Sequence, residues 1–333
     1  LKIRTQLIAV TVDWGDSTQY TATYDGTDKR PQGIRVVRTD NNTELVYGES
    51  GFRVFGQQNN ETFVNAGTHT LTIILGEDYK FASGQTQSKN LTIKKADVVK
   101  PTLGAYSLTY SYGDELSVEN FLEGDLSQIT LSGQTATTAG DHTLTVSLRD
   151  PDNYQWSGGT SSASFTIRWK IDRMSVLAPV LTGDSFEYNG TERSITELFS
   201  GNSFDERYMG LELTYRAINA SPASGYRARV KLTDTVNYQW ESGQVTEFVW
   251  RITKAIVAKP SFDASIELDY AGETLNVAER IPNYDYTVMK LSSNASQRNA
   301  GSYTTQLSLV DTNNYTWDDG TSTAVQVKWV INK

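Results

Sequence analysis

The chain has 333 residues, 30 Lys and Arg against 39 Asp and Glu, a net charge of −9 and no cysteine. The length exceeds what one hydrophobic core organises, so several domains are expected. The acidic balance excludes a phosphate-binding surface and with it nucleic acid as a partner, and the missing cysteines exclude disulfides, thiol catalysis and thiolate metal sites. With 18 Tyr, 11 Phe and 7 Trp against 3 Met, the composition favours β-structure, because aromatic side chains suit a pleated, half-buried surface. No run of about 20 apolar residues exists, so no membrane insertion is expected, and no charged-then-apolar leader opens the chain, which reads as a fragment of a longer array.

Taken in order, the chain repeats itself. Leu1 with Ile3 opens it, and the same [Leu or Trp]-x-Ile pattern returns at Leu91 with Ile93, Trp169 with Ile171, Trp250 with Ile252 and Trp329 with Ile331. The isoleucines are spaced 90, 78, 81 and 79 residues apart, a period suited to a sandwich module. The expected boundaries are 1–95, 96–173, 174–254 and 255–333.

In the first stretch, Tyr24-Asp25-Gly26 marks an early turn, Ala66-Gly67 precedes an alternating run through Leu71 and Ile73, and Tyr79, Phe81 and Gly84 form a short strand closed by a turn. In the second, Tyr112-Gly113-Asp114 takes the early turn, Ala139-Gly140 leads into Leu144, Val146 and Leu148, and Asp150 with Asn153 precedes Tyr154, Trp156 and Gly159. The last strand there alternates through Phe165, Ile167, Trp169 and Ile171. In the third, Tyr188-Asn189-Gly190 is followed by a single helical turn over 195–199, then Ser224-Gly225, the alternation Ala228, Val230, Leu232, and Asp234 with Asn237 before Tyr238, Trp240 and Gly243. In the fourth, Tyr270-Ala271-Gly272 precedes a second helical turn over 277–281, then Ala300-Gly301, Leu307 with Leu309, and Asp311 with Asn314 before Tyr315, Trp317 and Gly320; Val325, Val327, Trp329 and Ile331 close it. Asp and Asn supply side-chain acceptors for turns, and the later glycine tolerates positive φ. Period two marks strands with one buried face.

The stretches joining these units, Ile93-Lys94-Lys95-Ala96-Asp97-Val98, Ile171-Asp172-Arg173-Met174-Ser175-Val176 and Ile252-Thr253-Lys254-Ala255-Ile256-Val257, carry no Gly/Ser run and are followed by Pro101, Pro179 and Pro260. They read as stiff linkers, and the whole as an elongated, semi-rigid array.

Tyr-x-Gly near each start, Ala-Gly-x-[Tyr or His]-Thr, Asn-Tyr-x-Trp and a terminal Trp-x-Ile together resemble the Ig-like repeats, of YDG or MBG type, found in tandem in bacterial surface proteins. The likeness spans nearly the whole chain and is loosest in the first unit, where Phe81 and Leu91 replace tryptophans and Glu77-Asp78 reduces the turn. The resemblance implies an all-β fold, four Ig-like β-sandwich modules, at the bacterial cell surface or secreted, with a spacer or adhesive role and no catalytic residues.

The residues that invite other readings are few. His69 and His142 share one repeat position, two residues after the Ala-Gly glycine, and the other units place Tyr226 and Tyr303 nearby, which points to a packing or corner role and away from acid/base work. Trp156, Trp240 and Trp317, with Tyr154, Tyr238 and Tyr315, read as core; so do Trp169, Trp250 and Trp329. A sugar-stacking platform is the competing reading of the first three, and Trp240→Ala is expected to cost roughly 3 to 5 kcal/mol if they are core. The acidic turns at 150–153 and 311–314 offer oxygens of the kind calcium prefers; turn capping is favoured, and no cofactor is expected. Asp318-Asp319 and Asp114-Glu115 lie on turns and do not face one another across a cleft. No Lys-to-Asn crosslink pair is nominated by the sequence.

The leading reading is therefore a non-catalytic stalk of an adhesin-like protein, its partners being the neighbouring modules of the parent chain. The alternatives are direct binding of a host glycan or matrix protein, with Phe204, Tyr208 and Tyr215 in the third unit as the ligand surface, and an accessory region of a secreted enzyme.

Overall fold

Alternating apolar positions and turn-forming glycines leave the backbone one economical way to satisfy its hydrogen bonds, which is to pair as strands. The computed structural model describes residues 6–56, 62–159, 162–262 and 264–333. Among these there is no α-helix; strands are joined by turns and by four short 3-10 helices. The fold is all-β. Two compact units divide the chain, Leu1–Asp172 and Arg173–Lys333. The opening pair Leu1 and Ile3 lies outside the described residues.

Within the second unit one pairing scheme occurs twice. Glu247–Thr253 lies between Ser185–Glu187, to which it runs parallel, and Tyr226–Leu232, to which it runs antiparallel; Met209–Leu213 completes the sheet. Val325–Asn332 lies likewise between Ile266–Asp269 and Gly301–Leu309, with Met289–Leu291 outermost. A second, smaller sheet faces each: Met174–Val176 parallel to Tyr238–Trp240, and Ala255–Val257 parallel to Tyr315–Trp317.

The first unit uses the same scheme. Ser88–Lys94 sits between parallel Thr21–Thr23 and antiparallel Gly67–Leu75, with Phe52–Phe55 beyond; Ile8–Asp13 pairs parallel with Tyr79–Phe81 and antiparallel with Arg35–Arg38. Ser164–Ile171 pairs with Gly140–Leu148, which pairs with Ile129–Ser132, while a single bridge from Thr109 to Asp172 stands where the others have a parallel strand. Ala96–Val98 runs parallel to Tyr154–Trp156.

The stretches read as linkers are thus strands. Ala96–Val98, Met174–Val176 and Ala255–Val257 each give their hydrogen bonds to the short Tyr-x-Trp strand that follows them. A β-branched residue ends each of the three, and Val98 and Val176 are buried, so an extended segment that buries its last side chain beside an unpaired strand is better paired than free.

The two sheets of each stretch share a core. In residues 255–333 it is built on Leu307, Trp317, Val327, Trp329 and Ile331; in 174–254 on Ile195, Met209, Ala228, Val230, Trp250 and Ile252; and in the first stretch on Val10, Val36, Phe52, Leu71, Leu91 and Ile93. In the second, Leu144, Val146, Trp156, Trp169 and Ile171 are buried. The two predicted helical turns are present as Ile195–Leu198 and Val277–Arg280. Ser194 caps the first through a capping box with Glu197, and Asn276 caps the second by accepting from the Ala278 N–H.

Candidate functional site

Each chain stretch carries one corner where aromatic, amide and backbone groups recur in fixed geometry. The last-strand tryptophans are buried, and each indole N–H donates to a carbonyl across the sheet: Trp169 to Gly133 O at 3.1 Å, Trp250 to Thr214 O at 2.8 Å, Trp329 to Asn294 O at 3.1 Å. Over each ring sits the His or Tyr of the sequence motif. Ring centroids are 4.8 Å apart for His142 and Trp169, 5.2 Å for Tyr226 and Trp250, and 4.9 Å for Tyr303 and Trp329. His69 packs edge-on against Phe63.

The polar ends of these four side chains do one thing. His69 Nε2 is 2.7 Å from Asn65 O, His142 Nε2 2.9 Å from Thr138 O, Tyr226 Oη 2.8 Å from Asn219 O and Tyr303 Oη 2.7 Å from Asn299 O. A carbonyl only accepts, so the ring nitrogen or hydroxyl donates in each case. The histidines hold a backbone corner in the same manner as the tyrosines.

The Asp-x-x-Asn turns are occupied by their own amides. Asp150 Oδ2 accepts from Asn153 Nδ2 at 2.8 Å, Asp234 Oδ2 from Asn237 Nδ2 at 2.8 Å, and Asp311 Oδ2 from Asn314 Nδ2 at 2.6 Å. Hydrogen bonds from the Asn313 N–H, the Asn314 amide and the Asn314 N–H hold the Asp311 carboxyl below the usual carboxylate range. No group of three or more His, Cys, Asp or Glu arranged to hold a metal occurs among the described residues.

Asn153 and Asn314 reach further. Both are buried. Asn153 Oδ1 accepts from the Ala66 N–H at 2.7 Å, and its Nδ2 donates to Asn65 Oδ1 at 3.3 Å as well as to Asp150. Asn314 Oδ1 accepts from the Ala220 N–H at 2.7 Å, and its Nδ2 donates to Asn219 Oδ1 at 3.1 Å as well as to Asp311. A backbone N–H needs an acceptor, which fixes the amide orientation. Beside each amide the next residue meets a tyrosine of the preceding stretch edge to face: Tyr154 with Tyr24 at 5.3 Å and 83°, Tyr315 with Tyr188 at 5.4 Å and 87°. Lys95 Nζ donates to Pro151 O and Lys254 Nζ to Thr312 O, both at 2.6 Å. Two junctions, one in each unit, are therefore built from the same parts.

Sequence reading assigned some of these parts to other residues. The tyrosine whose N–H meets the end of the last strand is Tyr24 on Lys94 O, Tyr110 on Asp172 O, Tyr188 on Thr253 O and Tyr270 on Asn332 O. In the second stretch that residue is Tyr110, not Tyr112; one extra residue separates it from Gly113, which still takes positive φ as Gly26, Gly190 and Gly272 do. In the third stretch the Ala-Gly equivalent is Ala220-Ser221 and not Ser224-Gly225. Ser221 N–H donates to Ile252 O, and the residues from Pro222 to Gly225 are an inserted bend that restores Tyr226 to its partner Trp250. The asparagines before these alanines, Asn65, Asn219 and Asn299, were visible as a repeated Asn-Ala pair but were masked by that insertion.

The predicted core set divides. Trp156, Trp169, Trp250, Trp317, Trp329 and Tyr238 are buried; Tyr154, Tyr315 and Trp240 are half-buried. The predicted ligand surface is not an open platform: Phe204, Tyr208 and Tyr215 are half-buried against the core of their stretch, Phe204 stacked on Phe199 and Tyr208 on Tyr238 at 4.3 Å. More open apolar surface lies nearby, where Pro179, Val180, Leu181, Val245 and Phe248 line a shallow groove of about 390 Å³ and Val180 and Val245 are 63% and 67% exposed.

No protein-family model matches the chain, and no curated protein does. Among solved structures, one titled "Structure of surface layer protein SbsC, domains 4-9" is similar at 12% sequence identity and a TM-score of 0.24, over 96% of this chain and 65% of that one. The chain thus spans less than two thirds of that structure's length. At this TM-score the likeness decides neither fold nor role.

Proposed function

We propose that the chain is a non-catalytic, load-bearing spacer of an adhesin-like bacterial surface protein, built of four Ig-like modules at 1–95, 96–173, 174–254 and 255–333 and displayed outside the cell. One observation carries this reading: the last strand of three of these stretches runs parallel to a strand near that stretch's own start. Tension applied at the two ends of such a stretch pulls the paired strands past each other, so all their hydrogen bonds are loaded together. A hairpin pulled at its open end gives way one bond at a time. The amide latches at 65–66 with 153 and 219–220 with 314 add a second support, since they replace slack linker with hydrogen-bonded contact.

Stretching the full chain between terminal handles tests the reading. Four separate unfolding events, each releasing about 250 to 290 Å of contour for about 80 residues, are expected. A single cooperative event, or release at negligible force, would overturn it.

The groove beside Val180 and Val245 favours a second reading, in which the third module binds a matrix protein or glycan through exposed apolar surface. Saturable binding of the full chain to an array of such ligands, abolished by Val180→Asp with Val245→Asp, would put this reading ahead; silence from folded protein keeps the spacer reading first.

A further inference from the structure

The fourth stretch repeats the residues that form the receiving half of a junction. In the two occupied junctions the receiving side consists of an Asn-Ala pair, a tyrosine after the early strand, and a lysine just beyond the last strand: Asn65, Ala66, Tyr24 and Lys95, then Asn219, Ala220, Tyr188 and Lys254. The corresponding residues of the fourth stretch are Asn299, Ala300, Tyr270 and Lys333. Their framework is already set: Tyr303 Oη donates to Asn299 O at 2.7 Å, as Tyr226 does to Asn219, and Tyr270 N–H donates to Asn332 O at 3.1 Å, as Tyr188 does to Thr253.

The Ala66 and Ala220 N–H groups each meet an asparagine Oδ1, whereas among the described residues the Ala300 N–H meets no asparagine Oδ1. Tyr24 and Tyr188 are half-buried under Tyr154 and Tyr315; Tyr270 is 51% exposed. Asn299 and Lys333 are exposed as well. The corner is organised around groups that elsewhere have a partner of known identity.

We propose that the face formed by Asn299, Ala300, Tyr270 and Lys333 docks a further β-module through an Asp-x-x-Asn-Tyr turn of the kind at 311–315. The occupant's asparagine places Oδ1 on the Ala300 N–H and Nδ2 on Asn299 Oδ1, its following tyrosine meets Tyr270 edge to face, and Lys333 Nζ donates to a turn carbonyl. The side chain must be an amide, because a carboxylate has no Nδ2 to donate and would sit against both the turn aspartate and Asn299 Oδ1. The turn of this chain's own first stretch, Glu77-Asp78-Tyr79, lacks the amide and does not qualify. The proposal rests on the modular spacer reading and specifies what one of its ends receives.

The test is amide hydrogen exchange on the full chain and on the same chain extended after Lys333 by a second copy of residues 255–333. Ala220, already latched by Asn314, is the internal standard. In the extended chain, exchange at Ala300 is expected to slow to within about tenfold of Ala220, and Asn314→Asp made only in the added copy is expected to return Ala300 to its rate in the original chain. Unchanged exchange at Ala300 while the added copy protects its own strands overturns the proposal. So does a copy that gains no protection in its strands, since the same residues fold when seated on the third stretch. Four force events in the original chain together with either of these results would remove the docking face and leave the spacer reading in place.

Discussion

The tryptophans of the last strands are the residues on which the cores of the second, third and fourth stretches turn; Leu91 holds that place in the first. Trp329 is fully buried, donates its N–H to Asn294 O and lies beneath Tyr303. Trp329→Ala is expected to cost about 3 to 5 kcal/mol, read as a lowered urea midpoint for the second unit. Trp240 repeats the Trp317 position but is only half-buried, so Trp240→Ala is expected to cost about 2 kcal/mol, below the range expected for a core tryptophan. The corner residue offers a different comparison. Tyr303→Phe removes one hydrogen bond to Asn299 O and is expected to cost about 1 kcal/mol. Tyr303→His is expected to be milder than Tyr303→Ala, because His142 already fills the same position with the same bond. Equal losses for His and Ala would show that an aromatic ring with a polar tip does not by itself restore the corner. These roles were legible in the sequence because a buried aromatic at period two, or a His exchanged for Tyr between repeats, is a local signal. Tyr110 was not, since one inserted residue before Gly113 moved the pattern and left the more conspicuous Tyr112 in its place.

At the scale of elements, the strands of the long alternating runs and the two capped helical turns were legible; the junctions were not. Strands such as Ala96–Val98 are three residues long and find their partner 58 residues away at Tyr154–Trp156, a distance no periodicity reports. The amide latch joins Asn153 to Ala66 and Asn65 over a still longer span, 87 and 88 residues, and the sequence offered only the local half of it, the turn to Asp150. Asn153→Asp is expected to free the Ala66 amide and set a carboxylate against Asp150. Its exchange should accelerate about tenfold, with a loss of roughly 1 to 3 kcal/mol at the junction. Exchange at Leu144 and Val146 should stay unchanged. Acceleration spread evenly over the second stretch would mean that Asn153 supports its own fold and not the junction.

The carboxylates that are shifted, spread along the chain, are all lowered. The Lys29 ammonium and the hydroxyl and N–H of Thr27 lower Asp25 to about 2, and Lys259 with Thr321 lowers Asp319 to about 2. In the unfolded chain both protonate near 3.8. The unfolded state therefore takes up these protons first as pH falls, so their contribution to stability is complete above about 4 and is lost between there and about 2. Asp16, Asp125, Asp285 and Asp311 are shifted in the same direction by turn hydrogen bonds. Urea midpoints are expected to hold from pH 7 to 5 and to fall steadily from pH 4 to 2, and added salt should weaken the Lys29 and Lys259 contributions because both pairs are exposed to solvent. A midpoint that rises on acidification would contradict the assignment.

The last strand of most stretches is also an interior strand of its larger sheet. Glu247–Thr253 has Ser185–Glu187 on one side and Tyr226–Leu232 on the other, and Val325–Asn332 has Ile266–Asp269 and Gly301–Leu309. In a chain emerging from its amino end, Met209–Leu213 can pair with Tyr226–Leu232 beforehand, but Ser185–Glu187 finds its partner in the larger sheet only when Glu247–Thr253 is out. In the stretches of about 80 residues built this way, the larger sheet is complete only when its last strand is delivered, because that strand bridges the early strand to the rest. Placing the closing strand last couples the order of delivery to the moment of folding.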